Sequence, residues 1–151
     1  MNMKVEALPT YRIAYVRQVG PYGPANVQAM EKLKNWAREN HLLSESAILF
    51  GIPQDNPEVT LPENCRYDAC IVISKDFQTD DSICESELSG GEYAICMVKH
   101  TADDIQKAWT EIFPALQNGG YRMDNKPILE RYTGEMLNAG YCEICVPIKA
   151  L

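Results

Sequence analysis

The second half of this 151-residue chain repeats the plan of the first, and that duplication limits the folds open to it. Residues 47–53 (AILFGIP) have a counterpart in residues 127–133 (PILERYT), and residues 67–73 in residues 141–147. In the first half a β-rich run over residues 11–16 ends at Gly20-Pro21. A helix is predicted from about Pro24, a residue suited to a first-turn position. Val27, Met30, Leu33, Trp36 and Ala37 fall on one face of it at three- and four-residue spacing. Residues 47–52 read as a strand stopped by Pro53, residues 55–64 as a loop with Pro57 and Pro62, and residues 66–73 as a closing strand. The second half follows after the acidic connection at Thr79-Asp80-Asp81 and the turn Ser89-Gly90-Gly91. Residues 92–98 form its strand, and its helix starts near Asp103 with Ile105, Ala108, Trp109, Ile112, Phe113 and Leu116 on one stripe. Pro114 is expected to kink that helix or restart it. After the stop at Asn118-Gly119-Gly120 come strands over residues 128–133 and 141–148, joined by a loop holding Gly134 and Gly140.

Each half therefore reads strand, helix, strand, strand, and the fold class is α+β. One domain is expected over residues 1–151, with pseudo-repeats at about 1–76 and 82–151. Two modules with one apolar helix stripe each would bury both helices on the same side of a shared sheet. The seam between the copies is then the natural cleft for a ligand.

One substitution between the copies stands out. Where the first has Phe50, the second has Glu130, on the strand face it shares with Ile128 and Tyr132. An ionised acid among apolar and aromatic neighbours is costly unless something pairs with it. Arg131 is adjacent but points to the opposite face of a regular strand, so the favoured partner of Glu130 is a ligand. Tyr132 would add cation–π attraction worth about 0.5–2 kcal/mol. Phe50, as the counterpart of Glu130, is expected to face the same cleft from the other copy. Glu143 shares a face with Tyr141 and Cys145, as either a second cleft acid or a rim residue in a cross-strand pair. Trp109 lies on the apolar stripe, where core packing competes with a cleft role. Tyr22 follows a Gly-Pro turn, where it either caps the cleft or packs on the sheet edge.

Bulk properties exclude several classes. A net charge of −7 with no basic stripe argues against a nucleic-acid surface. No apolar run nears the roughly 20 residues of a membrane span, and the N-terminus has no signal-peptide pattern. Six cysteines sit mostly in strand-like runs, as buried thiols do, which suits a reducing cytoplasm. Cys142 and Cys145 are three apart and face opposite sides of a strand, so no metal or redox site is expected there. No cofactor motif, nucleophile elbow or phosphate-binding glycine loop is present.

Five stretches carry a resemblance across almost the whole chain. They are Val19-Gly20-Pro21-Tyr22, Gly90-Gly91-Glu92-Tyr93-Ala94, the Trp109 helix, Pro127-Ile128-Leu129-Glu130-Arg131-Tyr132, and Cys142-Glu143-Ile144-Cys145-Val146-Pro147-Ile148. The sequence resembles the GyrI-like small-molecule-binding domains. These include the effector-binding domains of AraC-type and MerR-type multidrug regulators and the DNA gyrase inhibitory protein. The resemblance implies an antiparallel sheet and a cleft for lipophilic, often cationic, molecules. It also implies that Glu130 is the ligand carboxylate, Tyr132 a cleft-lining residue and Glu143 a second acidic position. No helix-turn-helix precedes the matched region, so the expectation is a free-standing sensor, a sequestering protein, or a partner-binding protein acting on gyrase or a separate regulator. Hydrolysis of a reactive electrophile by Glu130 with Glu143 is a further alternative.

Overall fold

The duplicated pattern folds into one antiparallel sheet with its two long helices on the same side. The computed structural model describes residues 3–151. The first half runs β1 (Met3–Leu8), β2 (Tyr11–Val19), α1 (Pro24–Glu39), β3 (Ile48–Pro53) and β4 (Arg66–Ile73), with a 3-10 turn at Pro62–Asn64. The second runs β5 (Cys84–Leu88), β6 (Gly91–Lys99), α2 (Ala102–Asn118), β7 (Tyr121–Met123), β8 (Leu129–Thr133), α3 (Gly134–Ala139) and β9 (Tyr141–Ala150). The strand-helix-strand-strand modules are β2-α1-β3-β4 and β6-α2-β8-β9. Strands β1, β5 and β7 and the short helix α3 extend the predicted plan. Pro114 lies inside α2 without ending it. No described helix is long and apolar enough to cross a membrane.

The sheet order is β1-β6-β9-β8-β3-β4-β2-β5, with β7 alongside the far end of β9. The two modules meet at the β3–β8 ladder, where Leu49 faces Tyr132 and Gly51 faces Glu130. The leading strands are exchanged: β1 pairs with β6 of the second module, and β5 pairs with β2 of the first. Their register runs on without a slip, Leu8 facing Gly91 and Tyr11 facing Leu88. Residues 3–19 and 84–99 thus form one long bent ribbon that joins the two ends of the sheet. At the bend the Gly90 amide donates to Thr10 Oγ1 at 3.0 Å. A Cβ on Gly90 would collide with the Leu8 carbonyl and lie 2.7 Å from the Pro9 carbonyl carbon, so only glycine fits this close approach.

Strand alternation sends side chains to two faces. The inner face, enclosed by the curled sheet, packs Leu8, Ile13, Phe50, Ile52, Tyr93, Ile95 and Leu129. On the outer face α1 covers one module through Ala29, Met30, Leu33 and Ala37. There α2 covers the other through Ala108, Ile112 and Leu116. The Thr101 side chain caps α2 by accepting from the Asp104 amide at 3.2 Å, and Asp103 and Asp104 sit in its positive first turn. Between the helices, over the β3–β8 seam, the sheet's outer face is left open as a cleft.

Candidate functional site

The cleft has a volume of about 1300 Å³. Its walls are Asn26 and Met30 on α1 and Trp109 and Phe113 on α2, and its floor is formed by Tyr67, Glu130 and Tyr132. Tyr22, His100 and the segments around residues 53–58 and 123–128 close its ends. Trp109 and Phe113 stack with ring centroids 6.4 Å apart, giving the α2 wall a flat aromatic surface. His100 lies 5.8 Å from the Tyr132 ring at the opposite end of the floor.

Glu130 is the second residue of β8, where Gly51 faces it on one side and Ile144 on the other. Burial alone pushes its carboxyl above the usual range. No ion pair or hydrogen bond to its carboxylate is found among the described residues. The cations along the cleft are engaged elsewhere. Lys34 is 3.8 Å from Glu31, and Lys126 donates to the Gly90 carbonyl at 2.8 Å. Arg131 lies on the inner face, where it bonds Glu143 at 3.0 Å and Glu6 at 2.9 Å.

Four of the sequence-derived site residues, Glu130, Tyr132, Tyr22 and Trp109, come together around this cleft. Trp109 combines both roles weighed for it, packing on the α2 core cluster and walling the cleft. The Tyr22 hydroxyl is occupied, donating to the Arg66 carbonyl at 2.7 Å and accepting from the Asp55 amide at 3.1 Å, so only its ring faces a ligand.

Two residues do not join them. Phe50 is fully buried on the inner face, 5.8 Å from the Tyr11 ring, with Arg131 opposite it on β8. The expectation that it shares the cleft with Glu130 fails by one residue of register. Gly51 is the residue across from the carboxylate, and a one-residue slip reverses the face of a strand side chain. Glu143 is also on the inner face, 3% exposed; it makes the cross-strand pair expected of it, with Arg131 on β8, but in the interior and not at a rim or in the cleft. A comparable buried acid in the first module is Asp68 on β4, which accepts from Nε and one terminal nitrogen of Arg17 at 2.8 Å and from Gln54 at 3.0 Å.

Tyr67 and His100 on the cleft lining and Gly51 opposite Glu130 are not among the sequence-derived site residues. The signal for the first and last was the glycine inside an otherwise apolar strand, which often marks a close approach by another group. Among the described residues no group of three or more His, Cys, Asp and Glu side chains is placed to hold a metal. Cys142 faces the helix side and Cys145 the inner face.

The match to a family model settles the relationship: residues 1–149 fit the GyrI-like small molecule binding domain. The chain belongs to the GyrI-like family. Among GyrI-like relatives, the SPbeta prophage-derived protein YosT of Bacillus subtilis (strain 168) is 41% identical over 150 residues, covering 99% of this chain and 100% of its own length. Its name places it provisionally among transcriptional regulators. The protein named DNA gyrase inhibitor from Escherichia coli (strain K12) is 26% identical over 148 residues, spanning 95% of this chain and 93% of its own. The crystal structure of the EcmrR C-terminal domain superposes with a TM-score of 0.77 at 13% identity, covering 99% of this chain and 98% of that one. The structure of SAV2435 bound to tetraphenylphosphonium has a TM-score of 0.58 at 12% identity, covering 99% and 94%. These two structures share the GyrI-like fold seen here.

Proposed function

We propose that this GyrI-like domain senses or sequesters a lipophilic organic cation, with Glu130 as the group that receives the positive charge. The observation that carries this reading is a partly buried carboxylate with no protein counter-ion among the described residues, set in the floor of a large cleft walled by Trp109, Phe113, Met30 and Tyr132. A buried charge left unpaired by the protein is expensive, and a bound cation removes that expense. Aromatic faces within reach contribute cation–π attraction to the same ligand. The fold of SAV2435, whose structure holds tetraphenylphosphonium, supports the choice of ligand class. On this reading the domain acts in the cytoplasm without direct contact to nucleic acid.

Titration with tetraphenylphosphonium, followed by Trp fluorescence, tests the proposal. Wild type is expected to bind saturably, and Glu130→Gln to bind at least about 30-fold more weakly, the consequence of losing a charge pair worth 2 kcal/mol or more in a desolvated site. Saturable binding that is equal in both proteins, or absent from wild type, overturns it.

The relatives named DNA gyrase inhibitor favour a second reading, in which the domain acts on a protein partner. Inhibition of gyrase supercoiling that persists unchanged in Glu130→Gln would support that role over the cleft.

A further inference from the structure

The cleft floor holds more unpaired polar chemistry than one carboxylate. Tyr67 is 7% exposed and Tyr132 4%, both line the cleft, and neither hydroxyl bonds any protein group other than the neighbouring phenol among the described residues. The two phenols lie close enough to perturb each other's titration and to feel the charge of Glu130. A single bond between two phenols leaves one of their hydroxyl protons without an acceptor, and such an opening at a ligand cleft is a feature to be explained.

Gly51 explains how they come to be there. It lies directly across from Glu130, and its φ is outside the left-handed region, so the backbone does not demand glycine. Glycine in a strand interior costs stability, about 0.5–1 kcal/mol relative to alanine in comparable settings. What its missing side chain leaves is space for Tyr67. A Cβ there would collide with the Tyr67 hydroxyl and lie 3.2 Å from its Cζ. Facing residues on antiparallel strands have Cβ positions about 4.5–5.5 Å apart, so the Tyr67 hydroxyl is held over a position adjacent to the carboxylate.

We propose that Tyr67 and Tyr132 form a hydrogen-bond-donating subsite beside Glu130, opened by the absence of a side chain at Gly51. The cleft therefore selects cations that carry an acceptor oxygen or nitrogen near the charge over purely hydrocarbon cations. This rests on the reading of Glu130 as the cation-receiving group. Burial raises both phenols above their usual titration range, so they stay protonated and donate at neutral pH.

The test uses two cations of matched shape, n-butyltriphenylphosphonium and 2-methoxyethyltriphenylphosphonium, titrated into wild type, Tyr67→Phe and Gly51→Ala. Tyr67→Phe removes one oxygen and no packing volume. It is expected to weaken the ether-bearing cation about 5-fold, within the range for one hydrogen bond, and to leave the alkyl cation within 2-fold of wild type. Gly51→Ala, which displaces the Tyr67 hydroxyl, should reproduce that selective loss. Equal weakening of both cations by Tyr67→Phe, or no change in either, overturns the donor subsite while leaving the cation reading of Glu130 intact. Failure of wild type to bind either cation overturns both.

Discussion

Glu130 and Glu143 sit on neighbouring strands and are both largely withdrawn from water, yet the protein treats them oppositely. On the inner face Glu143 is met by the Arg131 guanidinium, which Glu6 on β1 then engages from its other side. On the outer face Glu130 is met by a glycine, an isoleucine and two phenols that bond no protein cation. The first arrangement uses the acid to join β8, β9 and β1. The second leaves the acid for a partner outside the chain. A carboxylate in a strand is therefore not diagnostic by itself, and what matters is which neighbouring strand supplies a cation on the same face.

Breaking the satisfied side gives the largest effect. Arg131→Met strands the buried Glu143 carboxylate and is expected to destabilise the fold by about 3–5 kcal/mol in urea unfolding, because breaking one partner of a buried pair leaves an uncompensated charge. The loss of cation affinity predicted for Glu130→Gln, about 2 kcal/mol or more, comes next, and it registers in binding and leaves folding intact.

The same Glu130→Gln change sharpens the contrast when stability is followed against pH. A carboxyl whose folded-state pKa is raised favours the fold in its protonated form, below its unfolded value, and loses that contribution as pH rises through the folded value. Empty Glu130→Gln protein should therefore be more stable than wild type at pH 8, and the gap should close toward pH 4. Each kcal/mol of that gap raises the thermal midpoint by about 2–4 °C for a chain of this size. A variant without any pH-dependent gain would mean that the empty cleft already solvates Glu130. The smallest effect belongs to Glu6→Gln. Its carboxylate is a third exposed and holds Arg131 from the open side, so thermal unfolding should register less than about 1 kcal/mol.

How much of this was legible in the sequence divides along the same line. The duplicated plan, the helices and the apolar surroundings of Glu130 are properties of single segments, and periodicity within a segment reports them. The opposite face of Arg131 follows from strand alternation for the same reason. The roles of Glu143 and Phe50 depend on register between strands far apart in the chain, which no single segment encodes. Glu143 was ambiguous because its neutralising cation comes from β8, and Phe50 was misplaced because aligning two halves by composition is uncertain by one residue. Strand β5 (CESEL) escaped notice because an exposed edge strand has no apolar face to give it a period. Helix α3 was read as a loop on account of Gly134 and Gly140. Its Thr133 cap, which accepts from the Met136 amide at 3.1 Å, was the local signal available.

The exchange of leading strands has a consequence for how the molecule forms. Because β1 belongs to the ladder of β6 and β5 to that of β2, neither half can finish its own hydrogen-bonding edge. The native pairings of Met3 and Val5 are with Cys96 and Ala94, across most of the first 100 residues of the chain. Closing so long a loop is entropically slow, and pairing of this separation belongs to folds that assemble late rather than from local nuclei. During synthesis the first half would wait, with the edge of β2 open, until the second had emerged. The same feature makes the two halves natural complements, since each carries the strand that the other's sheet requires.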